Sequence, residues 1–597
     1  MRKYKIRPAG IMGSSAIMSE LGLPSQFALF DLTASEGTRN LQNYKKTYRK
    51  RPGYDDLETL AIGTADAITG IGRFYTSAAD VKNFFFKAYT NTGDSSTDLV
   101  LYNSVESIFA TDKYAYAATI EGVVGDKVYG DVGVTTFQTD AEIAVGDYFV
   151  LDTDDDPNLG IAQEWAEVES IDSETQITLT AAYTGTTSVA ADTWNGSEKD
   201  ATFRRPFNTQ SIPDWCVFNN KLIFTFSDES VWSWTGLADA VAIEVDSTNA
   251  TGFKYCAPFI NRVFLANDVE GSGPMVVKWC KNGDETDWTD STAGEADLID
   301  KGSEIRGLSV VGNDLVVYTN RSIIWGNGTG IAESPISFND IRWGLGLHAP
   351  RSLISVRGQD YFLGYDNFYR MDGRTPIPIG DPVITELLDT ITSANLATTI
   401  AGHFETRNEI WWSLGGTGKH IIAYDYQDNT WNYYTPYLNM EALGEFTISS
   451  ENFIIGGSAD TIYKFDKSYL SDNSQIITGT YVSPVIDFSD QDEEAFNKFK
   501  TIYGMRVLYK NMTVTDTPAG DATFRLYVRT DNNDWPGAVT SQVVLTTTNA
   551  RTGVIEFDFI KTGNHFQFKF GESSADNDWE IVGIEIDYDI RGDFFGI

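Results

Sequence analysis

The chain has 597 residues, 42% of them apolar and 13% aromatic, which excludes a disordered protein and leaves room for three or four folded domains. Its 45 basic and 84 acidic residues give a formal charge of −39, which argues against broad binding to nucleic-acid phosphate. Such a surface suits solubility, a high-salt habitat, or a wall past which DNA slides without sticking.

The N-terminus, Met1-Arg2-Lys3-Tyr4-Lys5, is basic, but Arg7 and Pro8 interrupt what an export signal would need as an apolar run. No stretch approaches the ~20 apolar residues of a membrane helix, so a soluble protein made in a cytoplasm is expected. Residues 1–60 read as an arm plus the entry to the first of a series of repeated β units. Within it Lys45, Lys46, Arg49, Lys50 and Arg51 form a basic cluster that ends at Pro52-Gly53, read as a turn. Two readings of the cluster stand level. It offers positive charge to an acidic neighbour or to DNA phosphate, or it is a solvated strand edge.

An apolar strand, a polar turn and a strand carrying Trp or Tyr then recur. The first hairpin, at Phe84–Tyr89 and Leu99–Tyr102, is expected to mark the first propeller blade at 61–115. Six more copies begin at 222, 263, 315, 361, 421 and 453, with gaps of 41, 52, 46, 60 and 32 residues. Their mean of about 46 matches the roughly 40–50 residues of a four-stranded propeller blade. The interval before 222 is too long for one blade. It holds alternating strands such as Tyr148–Leu151 and Thr175–Thr180, which predict a small antiparallel barrel of five or six strands inserted at 116–200. The remaining blades fill 201–472, and six or seven blades close the ring depending on how the termini share a sheet. One helix is expected near 382–392, capped by Asp381 with Pro382 at its first position. After 472 the repeat stops, and longer alternating strands at 481–488, 524–528, 554–559, 566–570 and 581–588 predict a jelly-roll β-sandwich over 473–597. The expected fold class is therefore all-β.

Residues with catalytic or ligating chemistry are scattered. Cys216, Cys256 and Cys280 are odd in number with no CxxC pair, so three buried thiols are expected. His348, His403, His420 and His565 lie far apart, and no zinc spacing, P-loop or nucleophile elbow is present. Gly326 to Gly330 reads as a turn between blades. Asp152, Asp154, Asp156 and Asn158 begin like a calcium loop, but Pro157 stands where that loop needs Gly and Gln163 where it needs Glu. Neither a catalytic residue, a metal nor a cofactor is assigned, and the chain is not read as an enzyme. Trp232, Trp234, Trp325, Trp411, Trp412 and Trp431 form either a sugar platform or, the favoured reading, the packing between blades.

Several strings resemble one family. Trp279 to Trp288, with Gly283-Asp284 inside, looks like the Trp-x-x-x-Gly-Asp-x-x-x-Trp hairpin common in phage tail propellers. Gly344-Leu345-Gly346 followed by Tyr361 to Gly373 and Pro378-Ile379-Gly380 is similar to their next blade, and Lys50-Arg51-Pro52-Gly53-Tyr54 to their entry into the propeller. Val145-Gly146-Asp147 with Ile177 to Thr180 resembles a barrel reused in phage structural proteins, and Gly479 to Asp487 the opening of their terminal sandwich. The resemblance implies a tail nozzle, also called tail tubular or packaged-DNA stabilisation protein, of a short-tailed phage. It implies a homohexameric ring in the virion tail, below a portal and adaptor ring and near fibre or needle proteins, assembled in the host cytoplasm. Genomic DNA would pass through without specific binding, and the host cell surface would be a further contact. The alternatives are a tail-associated receptor- or glycan-binding protein and, further off, a propeller glycosidase.

Overall fold

The computed structural model describes residues 2–6, 11–12, 28–29, 38–44, 47–59, 64–77, 80–91, 94–103, 106–111, 114–130, 137, 143–145, 147–151, 166–182, 199–205, 207–236, 242–416, 418–513, 522–531, 533–545, 553–572 and 578–593. The protein is all-β. Among the described residues, five separate four-stranded antiparallel sheets succeed one another before residue 380, and a sixth lies near the C-terminus. Sheet 1 spans Thr64–Ser77 to Glu106–Thr111, sheet 2 Asp214–Phe218 to Ile243–Glu244, and sheet 3 Phe253–Phe259 to Gly294–Asp297. Sheet 4 spans Ile305–Val311 to Ile336–Trp343, and sheet 5 Ile354–Val356 to Thr375–Pro378. Two further four-strand sets are embedded in larger sheets. Sheet 6 runs from Ile400–Phe404 to Thr430–Tyr434, and sheet 7 from Ala442–Ile448 to Thr461–Asp466 with the N-terminal strand Gly53–Thr59 as its fourth.

Strands of this kind bury both faces, as in Leu315 to Tyr318, so each sheet needs an apolar neighbour on either side. The neighbours form a cycle. Phe86 of sheet 1 meets Phe224 of sheet 2 at 5.4 Å, and Ile223 of sheet 2 shares a core with Leu265 of sheet 3. Val277 packs with Val317 between sheets 3 and 4, and Tyr318 meets Phe362 at 5.1 Å between sheets 4 and 5. Phe368 lies 4.7 Å from Trp412 of sheet 6, and Trp411 lies 5.3 Å from Phe465 of sheet 7. Phe446 of sheet 7 then stacks on Tyr102 of sheet 1 at 5.3 Å, which closes the cycle. At that closure a Cβ on Gly444 would stand 2.6 Å from both the carbonyl oxygen and Cγ2 of Ile71. Only glycine lets these two strands approach so closely.

Between sheets 1 and 2 six strands, from Tyr114–Val124 to Lys199–Arg205, close into a barrel around Ile120, Phe149, Val168, Ile177 and Phe203. After sheet 7 the chain builds a second core. Gly479–Val482, Phe566–Glu572, Ala522–Thr530 and Ser541–Leu545 form one sheet in that spatial order. Asp578–Asp593, Lys498–Thr513 and Val554–Gly563 form another, and Phe524, Phe568 and Phe570 of the first share one apolar cluster with Met505, Val507 and Ile586 of the second.

The structure differs from expectation in five places. In sheet 6 the second strand is Glu409–Ser413, not the 421 strand, so the spacings of second strands become 50 and 42 residues rather than 60 and 32. The described parts of the N-terminal arm are paired into the fold: Arg2–Ile6 pairs with Asp578–Asp593, and Leu41–Tyr44 with Thr47–Lys50 bridges sheet 6 to the C-terminal sheet. Pro52-Gly53 opens a strand rather than a turn, and a Cβ on Gly53 would lie 1.9 Å from the Ser471 carbonyl oxygen. Gly326 to Gly328 ends a strand, where a Cβ on Gly326 would meet Ile336 at 2.5 Å. The helix is shorter, Ile384–Thr390, because Asp381 accepts from Asn367 Nδ2 at 2.6 Å instead of capping, and Val383 occupies the cap. The calcium-like residues Asp152 to Asn158 lie outside the described residues.

The closing contact is testable. Replacing Gly444 with Val overpacks it and is expected to cost about 1–3 kcal/mol, read as a lower thermal midpoint. An unchanged midpoint would show that the two strands do not meet as described.

Candidate functional site

The basic cluster was the sequence's one candidate site. Lys45 and Lys46 lie outside the described residues, and the structure separates the fates of the other three. Thr47–Lys50 is a two-sided strand, hydrogen-bonded to Leu41–Tyr44 on one edge and to Asp578–Asp593 on the other. The alternation places Tyr48 and Lys50 inward. Tyr48 packs 5.5 Å from Tyr481, and Lys50 follows it into the interior. There its ammonium lies 3.6 Å from the Glu572 carboxylate, with both side chains almost fully buried. A charge so placed has left water and depends on its partner.

Arg51 is bound more completely. Its Nε donates to Asn40 Oδ1 at 2.9 Å, and Nη1 to the Pro52 carbonyl at 2.9 Å and to Asp472 Oδ1 at 2.8 Å. Nη2 donates to the Thr435 carbonyl at 3.2 Å and to Asp472 Oδ2. All five guanidinium donors are thus used within the chain. Asp472 also accepts from the Tyr437 backbone N–H at 3.0 Å, and Asn40 Oδ1 from that of Thr435 at 2.8 Å. The expectation that Lys50 and Arg51 offer charge to a neighbour is therefore corrected. Burial and saturation make them internal ties. Arg49, on the opposite face and half-buried, stands in register with Glu580.

Beside this hairpin lies a buried carboxylate that sequence did not single out. Glu409 Oε1 accepts from Gln42 Nε2 at 2.9 Å and from Asn432 Nδ2 at 3.2 Å, while Oε2 accepts from Trp411 Nε1 at 2.8 Å. Burial pushes its carboxyl above the usual range, partly opposed by Arg407. Gln42 thus links the N-terminal hairpin to sheet 6 by side chain as well as by backbone.

The other candidates resolve into packing. Trp232, Trp234, Trp325, Trp411, Trp412 and Trp431 are all at most 6% exposed, so none offers a flat face to a sugar. Trp279 and Trp288 of the Gly-Asp hairpin are buried, with Trp288 Nε1 donating to the Glu285 carbonyl at 2.7 Å and Gly283 at φ 78° making the turn. Cys216, Cys256 and Cys280 are free and buried in the core between sheets 2 and 3, as the odd count suggested. Among the described residues no three His, Cys, Asp or Glu side chains cluster to hold a metal, and no helix is long and apolar enough to cross a membrane. No family model matches the chain, and a search of curated proteins finds no match.

Truncating Arg51 to Ala leaves Asp472 buried and uncompensated, which is expected to cost about 3–5 kcal/mol. In a double-mutant cycle with Asp472→Ala, the second substitution recovers part of that loss of thermal stability. Two additive losses would mean that the pair does not interact.

Proposed function

We propose that this chain is a ring-forming structural protein of a short-tailed phage tail: a nozzle that completes the channel for packaged DNA. The observation that carries the reading is the order of its parts. Seven four-stranded sheets pack in a closed cycle, the last completed by the N-terminal Gly53–Thr59 strand. We read this cycle as a seven-bladed β-propeller whose ends share a blade. A barrel sits between sheets 1 and 2. The C-terminal strands read as a jelly-roll sandwich. If Thr47–Lys50 counts as the first strand, the two sheets run 1-8-3-6 and 2-7-4-5, the order two Greek keys produce. A propeller, an inserted barrel and a terminal sandwich in this sequence match the family resemblance of the hairpin and entry motifs. A fold alone assigns no function, so the reading rests on that order together with charge. A hexamer would carry six times −39, and a lumen sharing that charge would repel DNA and let it pass unbound.

Native mass spectrometry of the full chain tests this. The expected species contains six copies, with six-fold class averages in negative stain. A chain that stays monomeric at all accessible concentrations overturns the ring.

A further inference from the structure

The N-terminal hairpin takes part in one more arrangement. Gln42, Arg49, Lys50 and Arg51 line a small recess together with Arg407 and Lys467. Three parts of the fold meet there: the hairpin, the Glu405–Arg407 turn between the first two strands of sheet 6, and the segment that leaves sheet 7. Five cations converge in a chain whose net charge is −39, and none of the lining residues is acidic. The carboxylates nearby are already engaged. Asp472 holds Arg51, Glu572 holds Lys50, Glu409 feels the charge of Arg407 but takes its hydrogen bonds from Gln42, Trp411 and Asn432, and Glu580 pairs with Lys510 at 2.9 Å.

Arg407 supplies a second observation. Its Nη1 atom is buried, and it has no hydrogen-bond partner among the described residues. Buried donors in folded proteins are almost always satisfied, and a charged one is satisfied best by an anionic oxygen. Lys467, also lining the recess, is exposed and forms no ion pair among the described residues. The recess has room of about 20 Å³, enough for one water-sized atom, so a single oxygen of an anion enters while the rest of the group stays at the opening.

We infer that this recess binds a small oxyanion, the oxygen of a phosphate or carboxylate group accepting from Arg407 with Lys467 beside it. The anion would tie the N-terminal hairpin to sheets 6 and 7. This inference does not depend on the nozzle reading.

Isothermal titration of the full chain with inorganic phosphate and, separately, with acetate tests it against chloride at matched ionic strength. Saturable binding on the order of 1 mM by either anion is expected. Lys467→Gln and Arg407→Gln should each weaken it about tenfold. Phosphate alone would identify a phosphoryl group as the ligand chemistry, and acetate alone a carboxylate. Lys467 is exposed, so its variant stays folded and informative if Arg407→Gln does not. Absence of saturable binding by both anions, or binding unchanged in Lys467→Gln, overturns the inference and leaves water as the partner of Arg407.

Discussion

Arg51 commits every donor it has to groups contributed by residues 40, 52, 435 and 472, and the closure of the whole fold passes through that commitment. A buried guanidinium and carboxylate are costly to desolvate. They persist where hydrogen bonds satisfy the remaining atoms, as Asn40, Thr435 and Tyr437 do here. Asp472 pairs in parallel with Tyr54 of the strand that completes sheet 7, so the ion pair and the closing strand stand or fall together. Breaking such a pair removes a large part of the ~5–15 kcal/mol that separates a folded domain from its unfolded chain.

That node explains why the N-terminal residues are dispersed over the molecule. Arg2–Ile6 lies along Asp578–Asp593, the Leu41–Lys50 hairpin bridges sheet 6 and the C-terminal sheet, and Gly53–Thr59 finishes sheet 7. These pairings join residues far apart in the chain, from Leu41 with Tyr433 to Arg2 with Tyr588. A cycle of sheets needs such a link, because an unclosed last sheet would leave an edge of free backbone groups. Closure also costs loop entropy that local hairpins do not, so the N-terminal strands are expected to be the last to settle. In the proposed nozzle, one continuous ten-stranded sheet would couple the propeller to the sandwich, making the subunit a single mechanical body.

The parts legible in the sequence were those built from neighbours in the chain. Hairpins such as Leu222 to Trp234 are local, and their apolar and aromatic signature marked six of the seven sheets at the correct strand. In sheet 6 the Glu409–Ser413 and Ile421–Asp425 strands are equally apolar, and Trp431 with Tyr433 imitates the usual outer strand, so the repeat was read one strand late. Lys498–Thr513 carries no clean period-two pattern, because bulges interrupt its pairing with Asp578–Asp593. The basic cluster was visible, but its meaning was not. Nothing local shows that Arg51 faces Asp472, or that Arg407 and Lys467 come to the same recess. Local charge reads as solvent-facing until a distant partner is known.

The claim that one node couples the N-terminal strands to both sheet 7 and the C-terminal sheets can be put to hydrogen–deuterium exchange on intact Arg51→Ala. The account predicts that segments 38–59, 435–482 and 566–588 lose protection together, while sheets 3 and 4, residues 253–343, keep theirs. Loss confined to the immediate neighbours of residue 51, or equal loss across all seven sheets, would contradict it.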